Sequence, residues 1–155
     1  MRHWLFKSEP DVFGIDDLEA MPNGTDHWDG IRNYQARNFM RDDMKVGDTG
    51  FFYHSNCAVP GIVGTVEIVR EAYPDHTSLD PDSPYFDPKA KPDVPRWVMV
   101  DVAFRGRFAE TVPLATLRET GGLEESPLVR KGNRLSIVPV TASERRVILK
   151  LAKSG

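Results

Sequence analysis

Apolar and polar positions alternate most clearly in two runs, residues 50–54 and 62–69, either side of a turn-prone segment holding Asn56, Pro60 and Gly61. Alternation sends Phe51 and Tyr53 to one face of the first strand and Phe52 and His54 to the other. A strand over 97–104 puts Val98, Val100, Val102 and Phe104 on one uniformly apolar face, with Trp97 in the opposite register at its start. Residues 3–7 read as a first strand, stopped by Ser8-Glu9-Pro10, and 108–112 and 135–140 as two later ones. Residues 26–30 read as extended or turning, with Trp28 their one large side chain.

Helical spacing is confined to short stretches. Residues 15–21 make one or two turns, stopped by Pro22-Asn23-Gly24. Asn33 is an N-cap for a helix to about Asp42, with Ala36, Phe39 and Met40 on its apolar face. Arg37 and Arg41 lie one turn apart on a neighbouring stripe, and Arg32 precedes the cap. Residues 113–119 form a short helix closed by Gly121-Gly122, and Thr141 with Glu144 makes a capping box for a last helix whose apolar face is Val147, Ile148 and Leu151. The expected core includes Phe52, Ile62, Val66, Val98, Val100 and Ile137. Long helices, which parallel crossovers usually require, are missing from the pattern.

Residues 70–96 are rich in Pro and Asp and read as irregular, because proline removes donors and restricts its predecessor. Tyr85 and Phe86 are costly to leave in water, so this segment is expected to be ordered and to rim a pocket near Tyr53 and Trp97.

Composition narrows the classes. At 155 residues, 40% hydrophobic and 28% charged, the chain is expected to be one soluble domain. A net charge of −3 and a pI near 5.8 argue against coating nucleic acid through bulk charge. The charge is uneven: the stretch from Glu71 to Asp93 is acidic, and that from Arg130 onward is basic. The one cysteine, Cys57, excludes an internal disulfide and fits a reducing compartment. No signal-peptide pattern or membrane-length apolar run occurs, so a cytoplasmic, membrane-free monomer is expected.

No constellation of reactive residues stands out. One cysteine and four scattered histidines do not make a zinc site, and neither a deaminase signature nor a phosphate-binding glycine loop is present. No metal, cofactor or catalytic residue is therefore expected. His54 and Cys57 suggest an imidazole-activated thiol, but nothing supplies the orienting third group. Glu67 and Asp101 form a possible carboxylate pair. The strand end Tyr53-His54-Ser55-Asn56 suits a flat, polar-edged ligand such as a nucleobase; it equally suits core packing followed by a turn.

Several segments together resemble the EVE domain family, a PUA-like group. They are Trp4-Leu5-Phe6-Lys7-Ser8-Glu9-Pro10, Trp28-Asp29-Gly30-Ile31-Arg32-Asn33-Tyr34-Gln35-Ala36-Arg37-Asn38-Phe39 and Phe52-Tyr53-His54-Ser55-Asn56-Cys57. Further matches are Pro60-Gly61-Ile62-Val63-Gly64, Ser83-Pro84-Tyr85-Phe86-Asp87-Pro88, Pro95-Arg96-Trp97 and Arg134-Leu135-Ser136. One departure, Gly14 in place of the family's usual serine cap, weakens the helix start at Ile15. The resemblance implies an α+β fold, a PUA-like mixed and mostly antiparallel β-barrel with short peripheral helices. It also implies a non-enzymatic reader of modified bases, modified cytosine in DNA ahead of RNA, with an effector protein as a further partner. The matched motifs put forward Trp4, Trp28, Tyr53 and Trp97 as aromatic walls and Lys7, Ser8, Asn33, His54 and Ser55 as base-edge readers. Arg32, Arg37 and Arg41 are the phosphate contacts to expect. The competing classes are a small hydrolase or nuclease-like enzyme using His54, Cys57 or Asp101, and a small-molecule or protein-interaction module with the same pocket.

Overall fold

The structure is a computed structural model that describes residues 1–90, 96–132 and 135–154. Residues 91–95 of the Pro/Asp segment and 133–134 of the final turn, parts of which carry the motifs quoted above, lie outside the described residues. Six strands form one mixed sheet: β1 (His3–Ser8), β2 (Thr25–Trp28), β3 (Thr49–His54), β4 (Gly61–Pro74), β5 (Val98–Pro113) and β6 (Ile137–Val140). Their order is β2-β5-β4-β3-β1-β6. Every ladder is antiparallel except β1 with β3, where His3 pairs with Thr49 and Ser8 with His54.

Both faces of the sheet are apolar. On one, Phe6, Phe52, Val66, Val98, Val100 and Ile137 pack under α2 (Ile15–Ala20) and α3 (Tyr34–Asn38), which contribute Ile15, Leu18 and Ala36. On the other, Leu5, Phe51, Tyr53, Ile62 and Val138 pack under α4 (Leu114–Glu119) and α5 (Ala142–Ser154), which contribute Leu117 and Ile148. All six expected core residues are buried, and the alternation along β3 divides its aromatics between the two faces as read. Gly64 lets α2 approach closely: a Cβ there would lie 2.4 Å from Ile15 Cδ1 and 2.3 Å from the Gly106 carbonyl oxygen.

The closed barrel is not what forms. Among the described residues no ladder joins the edge strands β2 and β6, each only four residues long. A sheet with two apolar faces needs two covering layers, and the α4–α5 layer occupies the face that would be the outside of a barrel. The α+β class, with few and short helices, stands.

Other differences are local. The strands expected over 97–104 and 108–112 are one 16-residue strand, β5, whose register against β4 shifts at several points so that it bends without breaking. β4 itself continues five residues past Val69, into the segment read as wholly irregular, and a 3₁₀ turn follows at His76–Leu79. The Asn33 helix is α-helical only to Asn38 and then widens into a π turn, Phe39–Asp43; its cap holds, with Asn33 Oδ1 accepting from the Ala36 amide at 2.9 Å. The capping box at Thr141 also forms, its two hydrogen bonds 2.9 and 3.1 Å long. The weak start of α2 is compensated from within and from outside: the Gly14 amide donates to Asp17 of the helix itself (2.7 Å) and the Ile15 amide to Nε2 of His54 on β3 (3.1 Å).

Asp48, only 3% exposed, ties the N-terminal strand to the turn before β3. Its carboxylate accepts from the Arg2 amide (3.0 Å), the Trp4 indole (3.1 Å) and the Lys45 amide (3.0 Å). Burial alone would raise its pKa, but these three donors outweigh burial and hold it below the ordinary carboxylate range. A depressed folded pKa contributes stability that is complete at neutral pH and disappears as pH falls through the folded value. Urea unfolding from neutral to strongly acidic pH should therefore show an acid limb that flattens in Asp48→Asn. Asp48→Ala, which orphans the buried Trp4 indole and two part-buried amides, should cost about 2–3 kcal/mol at neutral pH.

Candidate functional site

Because β1 and β3 run parallel, their C-terminal ends reach the same rim of the sheet. The Ser55 amide donates to the Ser8 carbonyl (3.0 Å) and the Lys7 amide to the Ser136 carbonyl (2.9 Å), so four polar residues converge there. The end of β2 arrives at the same place with Trp28, Asp29 and Gly30. Between them lies a cavity of about 700 Å³, of the size that holds a small flat ligand.

Its floor is aromatic. Trp28 is buried to 7% exposure yet lines the cavity, and three rings meet it edge-on: Phe6 at 5.2 Å, Phe52 at 5.4 Å and Phe13 at 6.3 Å between centroids. Its plane is thus fixed by packing. Phe13, from the single-turn helix α1 (Pro10–Phe13), lines the cavity as well, and the exposed Val12 sits beside it.

Tyr85 closes the remaining side, carried by the Pro/Asp segment. Two devices hold it. Gly30, at φ +77°, brings the backbone so close that a Cβ would lie 2.8 Å from the tyrosine ring. Arg32 donates to the Tyr85 carbonyl from Nη2 (2.6 Å) and Nε (3.1 Å) and also binds the fully buried Asp75 side chain (3.1 Å). Asp75 in turn accepts from the Gly30 amide at 3.0 Å. Burial pushes the Asp75 carboxyl up, but the donors from Thr77, Gly30 and Arg32 together bring it below its ordinary range, so it stays ionised.

The cavity's charged groups are not neutralised in this way. Burial lowers the Lys7 pKa, and among the described residues no carboxylate lies within ion-pair distance of its ammonium, which stands over the Tyr53 ring at 5.6 Å. Burial raises the Asp29 carboxyl above its ordinary range, with Asp75 and Asp26 adding to the effect and His27, 3.4 Å away, opposing it. A cation at one rim and a half-buried carboxylate beside the Trp28 floor give the cavity groups that can read donors and acceptors along a ring edge.

Of the residues proposed from sequence, Trp28, Lys7, Ser8 and Ser55 line the cavity. Trp4 does not: at 2% exposure it is core, with its indole bound to Asp48. Tyr53 packs into the α4–α5 face, away from Tyr85. Trp97 lies one layer behind the wall, its indole donating to Asp87 (2.7 Å) and its ring stacked on Tyr34 at 5.0 Å, while the Arg32 guanidinium lies over both the Trp97 and Tyr85 rings. Asn33 is occupied as a cap and His54 as the acceptor for Ile15. Arg32 is a strut, Arg37 donates to the Arg96 carbonyl (3.0 Å), and Arg41 is paired with Asp42 on the surface. The expected rim is half present: Tyr85 is in the cavity wall, but Phe86 is exposed. Sequence reasoning missed Asp29, Gly30 and Phe13. Two of these adjoin Trp28 in the matched Trp-Asp-Gly motif, which was the available signal.

Whole-chain comparisons agree on relatives. The family model described as EVE domain matches residues 2–151. Human thymocyte nuclear protein 1 is 47% identical over 165 aligned positions, covering 96% of this chain and 73% of its own length. A crystal structure from Pseudomonas putida is similar at 51% identity and a TM-score of 0.93, covering 97% of this chain and 99% of that one. The crystal structure of human THYN1 protein in complex with 5-methylcytosine-containing DNA is similar at 46% identity and a TM-score of 0.89, covering 99% and 98%.

Gly30 gives a direct test of how the wall is built. Gly30→Ala adds a Cβ against the Tyr85 ring at a left-handed φ, and should destabilise the fold by at least about 1–2 kcal/mol. Thermal unfolding reads the stability, and tryptophan emission in a Trp4→Phe, Trp97→Phe background, which leaves Trp28 as the emitter, reports the displaced ring.

Proposed function

Since the chain belongs to the EVE domain family, we propose that it is a reader of DNA carrying modified cytosine, which it binds in the Trp28–Tyr85 cavity without transforming it. The observation that carries this reading is the cavity itself. It offers rigid rings for stacking, Lys7, Ser8, Ser55 and Asp29 for the base edge, and a volume suited to one extruded nucleobase. The human protein crystallised with 5-methylcytosine-containing DNA is similar along the whole chain, which supports the same ligand class here.

The hydrogen bonds of the residues proposed for an enzyme favour the reader over the enzymatic alternative. His54 Nε2 is already an acceptor for the Ile15 amide, and among the described residues no hydrogen bond joins His54 to Cys57. Asp101 accepts from the Tyr73 hydroxyl, and Glu67 pairs with Arg105 at 3.5 Å, so neither is a free general base. For an acidic protein, selectivity rests in the pocket, and phosphate contacts add a uniform, salt-dependent increment.

Binding to oligonucleotides that carry 5-methylcytosine or cytosine, measured across a salt series, tests the proposal. Tyr85→Ala removes one stacking face and should weaken binding to the modified strand by about 1–3 kcal/mol, roughly five- to 150-fold. Arg41→Ala should weaken both strands equally and make the salt slope shallower. A product released from either strand, lost in His54→Ala, would sink the reader and favour the enzyme.

A further inference from the structure

A pocket that selects 5-methylcytosine meets a problem that its rings cannot solve. Thymine carries the same C5 methyl and stacks on the same aromatic faces. The two bases differ along the edge: cytosine offers an amino donor at position 4 and an acceptor at N3, whereas thymine offers a carbonyl acceptor and an N–H donor. Rejecting thymine therefore requires a fixed acceptor facing position 4, with donors beyond it.

Three carboxylates line the cavity, and they differ in what they already bind. Glu9 is exposed and accepts from Asn56 at 3.1 Å. Asp26 accepts from the His27 amide at 2.8 Å and faces His27 Nδ1 at 3.2 Å. Asp29 accepts from its own backbone amide and has His27 Nε2 3.4 Å from one oxygen, and among the described residues no other side chain donates to it. It adjoins Trp28, the floor of the cavity, and Gly30 behind it is anchored to Asp75, so the backbone that aims it is held. The donors, Lys7 and Ser55, come from the opposite rim, at the ends of β1 and β3.

From this arrangement we propose that Asp29 is the residue that distinguishes a modified cytosine from thymine, accepting the exocyclic amino group while Lys7 and Ser55 donate to N3 and O2. The proposal rests on the reader function above and adds to it the side of the cavity on which the base is read. Thymine in the same pose sets its O4 against a carboxylate oxygen and its N3–H against a cation, and is repelled at both points.

The experiment uses three duplexes, alike except at one position, which carries a 5-methylcytosine·G, C·G or T·A pair. Affinities are measured for the wild-type chain, Asp29→Asn and Asp29→Ala, with thermal unfolding to verify the fold of each. An asparagine amide can present either its oxygen or its NH₂, so it suits both bases. The wild-type preference for 5-methylcytosine over thymine should fall about tenfold or more in both variants, while the preference for 5-methylcytosine over cytosine, read at the methyl group, persists. Comparing variant with wild type on the same duplexes cancels the different cost of opening each pair. If both folded variants keep the wild-type rejection of thymine, the role of Asp29 is wrong and the reader function survives. If the wild-type chain fails to prefer 5-methylcytosine over cytosine, the reader function fails and takes this inference with it.

Discussion

The contact between Trp28 and Phe6 is the constraint on which the rest of the molecule depends. Three strands separate β2 from β1 in the sheet order, a span of about 19 Å at the usual interstrand spacing in a flat sheet. Their rings nevertheless meet with centroids 5.2 Å apart, and Phe52 from β3 packs on the same indole. The sheet has to coil strongly to allow this, and the shifts of register along β4 and β5 are where it does so. The cavity is the space left at the rim where the coiled edges approach without pairing.

That space would close or fill with side chains without a second set of forces. The wall opposite the floor is an irregular segment with few apolar anchors, and it is held by polar groups. Asp75 keeps its charge in a buried position because the Gly30 amide, Arg32 and Thr77 all donate to it. Arg32 carries that anchorage on to the Tyr85 carbonyl and lies across the rings of Tyr85 and Trp97. A buried ion pair of this kind adds little net stability but fixes one arrangement, since removing either partner leaves a charge unpaired. The arginine that looked like a phosphate contact thus shapes the pocket from behind.

The two aromatic sides of the cavity differ in how rigid they are. Trp28 is locked by three rings within the main core, whereas Tyr85 depends on hydrogen bonds with the Arg32 and Ser83 side chains and on the absence of a Cβ at Gly30. Burial disfavours the charged forms of Lys7 and Asp29, and among the described residues Lys7 has no carboxylate within ion-pair distance, which is costly for the fold and useful for a ligand that brings complementary groups.

The sequence by itself determined what period-two alternation and local capping can encode. Phe51 and Tyr53 lie opposite Phe52, Val98 and Val100 face the core, and Asn33 and Thr141 start helices, because each depends only on neighbours along the chain. The family motifs likewise delivered Trp28, Lys7, Ser8 and Ser55 to the cavity. Tertiary structure decided everything that depends on which strand lies beside which. An aromatic residue reads the same in sequence as wall or as core, so Trp4 beside Asp48, Tyr53 on the opposite face and Trp97 behind Tyr85 could be sorted only by the coiled sheet. His54 illustrates the same limit: a histidine at a strand end looked like a reader, and the fold uses it to cap the amide that Gly14 leaves open at the start of α2. Barrel or open sheet was also a tertiary outcome, since alternation shows that both faces are apolar and cannot say what covers them.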